Sequence, residues 1–404
     1  MRARIASLPA AVLLVLGALV VGALAWVPTA SAQDAPRVHA RPAQSGGRAQ
    51  PCPSVDGPKC HVRLRTGIRM AYAEVGPRRG KPLILLHGLT DSSRSWSLSM
   101  RALHRLRPNL HIYALDLRGQ GASSQPKKQA CRSHPERCYE MEDLAADVVA
   151  FMDTQRIRSA SIAGHSMGSF VAQEIGLRYP RRADRLVLVA SSTTGVNNPT
   201  LRDFVLPQVE GPWRNSLVAQ GRSWPQDAYA RTPLDADPHA VEWMKQSWDA
   251  DPVAPQSLVN AIAAETARVP LGTWLGETKA LLATDNTRRL RHLKIPTLVL
   301  WGAQDSIFYD TDQHRLVKAL TRAARGKGSF AWKQYGARPL PASGFQESDI
   351  GHNVQWEAPA KVARDIASYL RTGRPTKDLY RTDHPDDIHH IVTEPGAARI
   401  ISRR

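Results

Sequence analysis

The sequence predicts an α/β fold with a mostly parallel sheet of eight strands, helices on both faces of the sheet and an inserted helical lid. Short apolar runs alternate with segments of helical periodicity, as expected when helices cover both faces of a parallel sheet. The alternation stops between residues 195 and 290, where no strand pattern is present and five tryptophans occur. We expect these tryptophans to form the core of a helical insertion; the alternative is that one or two of them face an apolar pocket.

The eight strands are assigned in chain order from their local patterns. Alternating apolar and polar residues at 61–64 and 69–75 flank a Thr-Gly pair and predict an opening hairpin. Continuous apolar runs predict six buried strands, at residues 82–86, 111–115, 161–165, 185–190, 297–301 and 330–335. Helices are expected at about residues 141–154, 170–176, 312–325 and 358–370.

The N-terminal residues have the pattern of a secretory signal. Arg2 and Arg4 precede an apolar run at 8–27, and small residues follow at 30–32. We therefore expect export to the periplasm or the medium. The alternative is a membrane anchor that is not cleaved, because the apolar run approaches the roughly 20 residues that span a bilayer. The predicted organisation is a signal at 1–32, a linker at 33–60, core at 61–194, lid at 195–290, core at 291–371 and an unassigned tail at 372–404.

Four cysteines follow the predicted signal: Cys52, Cys60, Cys131 and Cys138. An even number in an exported chain predicts disulfides. Of the three possible pairings, Cys52–Cys60 with Cys131–Cys138 is favoured because it joins neighbours in sequence, and four free thiols are the alternative. No Cys-x-x-Cys motif is present, so neither zinc binding nor thioredoxin-like chemistry is expected.

The chain carries 54 Lys and Arg against 36 Asp and Glu, a formal net charge of +18. The simplest interpretation is solubility, and adhesion to an anionic membrane surface or a polyanion is the alternative. No nucleic-acid partner is expected, because no basic motif with interleaved aromatic residues is present. The tail histidines His384, His389 and His390 lack an accompanying Cys or Glu cluster, so no metal and no cofactor is predicted.

A nucleophile motif follows the strand at 161–165. Gly164-His165-Ser166-Met167-Gly168 leads from this strand into a helical segment. A serine hydroxyl is a weak nucleophile unless it is exposed beside a base, and a sharp strand-to-helix turn presents it in that way. Gly164 and Gly168 fit this turn, because larger side chains would clash where the strand and the helix approach each other.

Three further motifs occur at positions in the chain where the partners of such a serine are expected. His87-Gly88-Leu89 follows a buried strand, so the N–H groups of Leu89 and Met167 are expected to form an oxyanion hole, with His87 and Gly88 as supporting residues. Asp305 follows the strand at 297–301, at the edge where open α/β sheets bind ligands.

The third motif contains His352, which lies in a loop before the last predicted helix. A lone turn, cap or loop residue explains each of these motifs taken singly. Their order along the chain, Ser then Asp then His, favours a catalytic triad instead.

The chain resembles the α/β-hydrolase superfamily over residues 61–371. The matching motifs are His87-Gly88, Asp116-Leu117-Arg118-Gly119-Gln120-Gly121-Ala122-Ser123, Gly164–Gly168, Trp301–Asp305 and Gly351-His352. The second of these is similar to a stretch shared by epoxide hydrolases, haloalkane dehalogenases, C–C hydrolases and many esterases. The resemblance implies that Asp116 and Arg118 organise a loop and do not act as catalysts.

The resemblance also implies which chemistry to expect. Epoxide hydrolases and haloalkane dehalogenases have an aspartate at the turn, whereas Ser166 implies acyl transfer, with His352 as base and Asp305 orienting it. The favoured function is an exported serine hydrolase that cleaves a small-molecule ester through an acyl-enzyme. The alternatives are a C–C hydrolase, lactonase, amidase or acyltransferase with the same triad, and a non-catalytic binding protein on this fold.

Two segments are longer than in the family pattern. Residues 336–349 separate Asp305 from His352, which leaves Glu347 and Asp349 as lower-ranked candidates for the acid. Residues 124–138 lengthen the loop after Asp116. We expect a Cys131–Cys138 disulfide there to stiffen one wall of the substrate entrance.

Overall fold

The computed structural model describes residues 55, 57–128, 130–247, 254–336, 350–377 and 400–403. These residues belong to one compact unit, Gln50–Arg404. The predicted signal, most of the linker with Cys52, and the tail histidines lie outside the described residues. Within the described part, no helix has the length and apolar character needed to cross a membrane.

One mixed sheet organises the molecule. Its strands are β1 (Cys60–Arg63), β2 (Arg69–Val75), β3 (Lys81–Leu86), β4 (Leu110–Leu115), β5 (Ala160–His165), β6 (Ala183–Val189), β7 (Thr297–Gly302), β8 (Phe330–Tyr335) and β9 (Ile400–Arg403). Their order is β1-β2-β4-β3-β5-β6-β7-β8-β9. The strands from β4 to β8 in this order are parallel, and β1, β2 and β9 add antiparallel pairs at the two sides. All eight predicted strands are present to within two residues, which confirms the fold class.

The α-helical segments of the described chain are α1 (Ser97–Leu106), α2 (Ala130–Ser133), α3 (Met141–Thr154), α4 (Met167–Arg178), α5 (Leu206–Gln208), α6 (Arg214–Ala219), α7 (Pro233–Ala236), α8 (Ala240–Ser247), α9 (Gln256–Thr266), α10 (Leu271–Ala283), α11 (Asp310–Arg325), α12 (Val354–Glu357) and α13 (Pro359–Thr372). Two π-helical segments, Thr200–Val205 and Val209–Trp213, flank α5.

Both faces of the sheet are covered because successive strand residues point to opposite sides. On β3, Ile84 belongs to a buried cluster that includes residues from α3, α4 and α11, whereas Leu85 belongs to a second cluster that includes residues from α1 and α13. The central strands are therefore apolar throughout, and this explains why they could be recognised as continuous runs in the sequence.

The lid lies between β6 and β7 and contains α5 to α10. Its two ends meet at an isolated antiparallel bridge between Thr194 and Asp285, where Gly195 N donates to Thr284 O at 3.0 Å. Within the lid, the ring of Trp213 packs edge-on against those of Trp243 and Trp274, with centroids 5.1 and 5.2 Å away. These three tryptophans thus form part of the lid core, as expected; Trp248 lies outside the described residues.

The sequence predicts no element in the tail, whereas the structure gives part of it a position. β9 pairs with β8 as a ninth strand, with Phe330 opposite Arg403. Closer to α13, the buried carboxylate of Asp365 accepts hydrogen bonds from Lys333 Nζ at 2.9 Å and from the N–H of Thr376 at 2.8 Å. These contacts hold the chain against the sheet after α13 ends.

Candidate active site

Ser166 occupies the sharp turn between β5 and α4. Its backbone angles are φ +49° and ψ −121°, a conformation that a non-glycine residue rarely adopts. The close approach of the two elements leaves no room for side chains at the flanking glycines. A Cβ on Gly164 would lie 2.1 Å from the carbonyl oxygen of Gly168, and one on Gly168 would lie 2.5 Å from that of His87. Both glycines are therefore required by packing.

Asp305 and His352 meet at the same edge of the sheet, after β7 and β8 respectively. His352 Nδ1 lies 2.9 Å from Asp305 Oδ1, and both residues are buried. The same carboxylate oxygen accepts the N–H groups of Ile307 and Phe308, each at 2.9 Å. Three donors thus fix the orientation of this carboxylate, which faces the Nδ1 side of the imidazole.

The remaining ring nitrogen of His352 is available. With its proton on Nδ1, the ring has an acceptor at Nε2, and this atom has no hydrogen-bond partner within the described structure. His352 and Ser166 line one cavity of about 340 Å³. The geometry therefore allows His352 to serve as a base toward a group in this cavity, although no Ser166–His352 hydrogen bond is formed.

The cavity is mainly apolar and is lined by residues of both the core and the lid. Its apolar lining includes Leu89, Leu201, Val205, Ile262, Leu281 and Phe308. Leu89 lies at the cavity wall, and Met167 is the first residue of α4, so its N–H has no acceptor within the helix. These are the two residues whose N–H groups were predicted to form an oxyanion hole.

His87 supports the loop that carries Leu89. Its Nδ1 bonds the carbonyl of Gly88 and its Nε2 bonds the N–H of Leu117, both at 2.9 Å. Nδ1 is therefore the donor and Nε2 the acceptor. Burial lowers the pKa of His87 to about 4, so the ring is neutral at physiological pH. His87 thus acts through structure, tying the Leu89 loop to the loop after β4.

Asp116 organises that neighbouring loop. Its carboxylate accepts the N–H groups of Ser93 and Ala122, each at 2.8 Å, and pairs with Lys59 at 2.8 Å. Burial opposes its charge, but the lysine ammonium and the N–H donors bring the pKa of Asp116 below its ordinary value. Neither Asp116 nor Arg118 lines the cavity, which agrees with the structural role that the resemblance implied.

Two residues of the site were not identified from the sequence. His165 Nε2 donates to the backbone oxygen of His352 at 3.0 Å, because a carbonyl oxygen can only accept. Burial and the nearby His352 lower the pKa of His165 well below its ordinary value, so the ring is neutral. Asp91 lines the cavity, and its Oδ1 accepts the N–H of Ser92 at 2.7 Å. A lone loop aspartate is common, so nothing in the sequence singled it out.

The second hydrogen bond to Asp91 comes from Ser95. Trp356 Nε1 and Gln355 Nε2 both donate to Ser95 Oγ, at 2.8 and 3.0 Å, so the hydroxyl proton of Ser95 is free to point at Asp91. This chain of bonds links the loop that carries Leu89 to the helix that follows His352. Burial raises the pKa of Asp91 to about 7.

The expected role of the Cys131–Cys138 disulfide is wrong, although the structure does contain this bond. None of the described residues of 124–138 lines the cavity. This loop instead packs against α10: Tyr139 Oη lies 2.9 Å from Thr273 Oγ1, and Gly276 faces the carbonyl of Pro135. Helix α10 lies between the loop and the cavity, so the disulfide supports the lid from outside.

The structure describes only one of the other two cysteines and neither of the lower-ranked acids. Cys60 is disulfide-bonded, and Cys52 lies outside the described residues. Glu347 and Asp349 also lie outside them. Asp305 is the carboxylate that contacts His352 in the structure.

Comparison with known proteins gives the family. The family model for the alpha/beta hydrolase fold matches residues 81–359, so the chain belongs to the alpha/beta hydrolase fold family. A crystal structure of a hydrolase from Pseudomonas aeruginosa has a TM-score of 0.53 and 23% identity, covering 78% of this chain and 99% of that chain. At this identity, the structural likeness supports the fold alone.

Curated relatives with different activities also match. Over 159 residues the chain is 30% identical to epoxide hydrolase 4 of Mus musculus, covering 38% of this chain and 41% of the relative. Over 315 residues it is 30% identical to the dihydrolipoyllysine-residue acetyltransferase component of the acetoin cleaving system of Pseudomonas putida, covering 76% and 67%. The chain spans less than half of the length of the mouse relative. The two relatives also differ in activity, so neither activity is assigned to this chain.

Proposed function

We propose that this protein is a serine hydrolase that cleaves small-molecule carboxylic esters through an acyl-enzyme. One observation carries the proposal. Ser166, held at positive φ on the turn after β5, shares a cavity with His352, and the other side of that imidazole is hydrogen-bonded to the buried Asp305. A nucleophile, a base and an orienting carboxylate in this relation are the parts that acyl transfer needs.

The proposed mechanism has two half-reactions. Ser166 Oγ attacks the ester carbonyl while Nε2 of His352 accepts the hydroxyl proton, and Asp305 stabilises the resulting imidazolium. The N–H groups of Leu89 and Met167 stabilise the oxyanion. The C–O bond to the alcohol then breaks and His352 returns the proton to the leaving oxygen. Water, deprotonated by His352, releases the acid and regenerates Ser166.

The shape of the cavity supports an apolar acyl group. Its volume of about 340 Å³ and its aliphatic and aromatic lining favour burial of a short or medium hydrocarbon chain. Ser166, His352 and Asp91 supply polar groups to the same cavity, where the ester itself would lie.

Hydrolysis of p-nitrophenyl acetate, butyrate and octanoate tests the proposal. We expect turnover by the wild type and its loss in Ser166→Ala, with Ser216→Ala, a serine in the lid outside the cavity lining, as the matched control. Labelling with a fluorophosphonate should modify the peptide that contains Ser166. An inactive wild type that is not labelled would contradict the serine mechanism.

Epoxide opening is the second candidate, since mouse epoxide hydrolase 4 is a relative. Attack of a serine on an epoxide carbon forms an ether, which water does not hydrolyse, so Ser166 disfavours a catalytic cycle of this kind. We expect styrene oxide to remain unconverted under conditions that hydrolyse the esters. Its turnover would favour the second candidate.

We also propose that the protein is exported to the periplasm or the medium. The support is the sequence pattern of Arg2, Arg4 and the apolar run at 8–27. N-terminal sequencing of the protein recovered from an expressing bacterium should find a start near Gln33. Recovery in the membrane fraction with the apolar segment intact would favour the anchored alternative.

A further inference from the structure

The two edges of the parallel sheet differ in charge. The carboxyl ends of the strands carry Ser166, Asp305 and His352, whereas the loops that precede parallel strands lie at the opposite, amino edge. These preceding loops are rich in cations, among them Arg78, Arg79, Arg156, Arg158, Arg291 and Lys294. Part of the positive charge in the composition thus lies at the edge away from the catalytic cavity.

A cleft of about 420 Å³ opens at this amino edge, where β6, β7 and β8 begin. Arg185 near the start of β6, Lys327 before β8 and Arg374 after α13 contribute cations from three different segments. The guanidinium of Arg185 lies over the ring of Tyr369, 5.3 Å from its centre, and the hydroxyl-bearing Ser329 also lines the cleft. The three cations therefore converge on one space.

The part of the chain that the structure describes supplies no counter-charge to these cations. Among the described residues, none of Arg185, Lys327 and Arg374 forms an ion pair. Asp184 precedes Arg185 in β6, but successive strand residues point to opposite faces, and Asp184 is exposed. Elsewhere the protein does pair its arginines, as in the contact of Arg289 with Glu174. An anion from outside would therefore complete the electrostatics of this cleft.

The pairing of β9 with β8 brings the end of β9 to this edge. β9 runs antiparallel to β8 and ends at Arg403, opposite Phe330, which is itself part of the cleft. The end of the described chain thus lies beside the cleft. Cations precede β3, β5, β6, β7 and β8, which are neighbours in the sheet, so they are spread along this edge. An anionic membrane presents its charge over a surface of this kind.

We propose that this cleft binds the phosphate of an anionic phospholipid and that the amino edge is the surface by which the protein contacts an anionic membrane. In this orientation the catalytic cavity, at the opposite edge of the sheet, faces away from the lipid surface. The proposal is independent of the ester chemistry, because no residue of the cleft lines the catalytic cavity.

Vesicle co-sedimentation of the purified protein tests this proposal. The probes are vesicles of phosphatidylglycerol with phosphatidylcholine and vesicles of phosphatidylcholine alone, at physiological salt. We expect binding to the anionic vesicles only, and at least a tenfold weaker affinity in the triple variant Arg185→Gln, Lys327→Gln, Arg374→Gln. The N-terminal segment is identical in all variants, so it does not affect the comparison.

A second triple variant, Arg214→Gln, Arg222→Gln, Arg268→Gln, is the matched control, with the same change in net charge placed on exposed lid residues. It should bind within about twofold of the wild type, and both triples should keep a folded circular dichroism spectrum. Equal losses in the two triples, or no loss in the first, would overturn the cleft as the site. Retention on heparin without vesicle binding would also overturn the proposal, in favour of a polyanion.

Discussion

His352 Nδ1 is hydrogen-bonded to Asp305, and its Nε2 has no hydrogen-bond partner among the described residues. Asp305 Oδ1 accepts from that imidazole and from two backbone N–H groups, so its side chain has little freedom to reorient. The tautomer of His352 is consequently set by the carboxylate, since only a donor at Nδ1 satisfies it.

Asp305→Asn therefore has a specific expected effect. The amide oxygen can keep the three hydrogen bonds of Oδ1, but the side chain loses the negative charge that stabilises the imidazolium. We expect kcat for p-nitrophenyl butyrate to fall by roughly 10³-fold or more with KM little changed. Asp312→Asn is the control, because Asp312 belongs to α11 and forms no hydrogen bond with His352. Similar losses in both variants would point to a general disturbance of this region.

Asp91 makes stability depend on pH. Its pKa rises from 3.8 to about 7 on folding, mainly through burial, so the folded state keeps a proton that the unfolded chain releases. Stability therefore falls as pH rises through this window, and the cost is complete above about pH 7. The nearby carboxylates Glu265 and Asp116 have cationic partners in Arg94 and Lys59, whereas Asp91 has no ion pair among the described residues.

Asp91→Asn should remove this dependence. The amide oxygen can still accept from Ser92 and Ser95, and no charge forms at high pH. Relative to the wild type, we expect the variant to gain up to about 4 kcal/mol in the free energy of unfolding between pH 4 and pH 8. Urea unfolding at the two pH values measures the gain. An identical difference between the two proteins at both pH values would show that Asp91 does not titrate in this window.

At the scale of elements, helix α9 links the lid to the core beside the cavity. Glu265, near its end, accepts from Ser92 Oγ and Arg94 Nε, both at 2.6 Å. The same helix lines the cavity with Ile262 and Thr266. A contact between charged groups thus positions one wall of the cavity without entering it.

Glu265→Gln should weaken this positioning. Because both partners are partly exposed, the interaction energy that is lost is modest, roughly 1 kcal/mol. We expect KM for the octanoate ester to rise about fivefold with kcat nearly unchanged. Glu242→Gln is the matched lid control, since its pair with Lys245 is exposed and its helix contributes nothing to the cavity lining. An unchanged KM in Glu265→Gln would show that α9 keeps its place without this contact.

The Cys131–Cys138 disulfide leads to a different expectation. It closes a loop with a sequence separation of 7, and it packs under α10 outside the cavity. In the chain-entropy model, a loop this short contributes about 2–3 kcal/mol. The double variant Cys131→Ser, Cys138→Ser should lose about this much in urea unfolding while its kcat and KM at 25 °C stay near wild type. A large change in KM with unaltered stability would restore the entrance-wall hypothesis.

The elements differ in how far the sequence could predict them. The central strands are buried on both faces, so their composition alone marks them as continuous apolar runs. β9 has only four residues at an edge of the sheet, and its pairing with β8 is a long-range contact that no local pattern records. The motifs likewise indicated Ser166, Asp305 and His352, whereas Asp91 and His165 are notable only through their burial and their partners in the fold.

At the scale of the whole molecule, the composition establishes the net charge but does not say where in the fold the charges lie. Clusters such as Arg322–Lys327 are ordinary helix ends when considered singly. Only the parallel topology brings the loops that precede the strands to one edge, and it places the proposed membrane surface opposite the proposed catalytic cavity. The sequence therefore predicted the amount of charge, and the strand order determines where part of it lies.

The bridge between Thr194 and Asp285 has a consequence for how this protein can evolve. Since the lid leaves and rejoins the core at adjacent points, its length and sequence can vary without altering the spacing of β6 and β7. The lid contributes Leu201, Val205, Ile262 and Leu281 to the cavity, and the core contributes Ser166 and His352. Recombination at this junction can therefore exchange the lid's part of the cavity lining while the part proposed to perform the reaction is inherited intact.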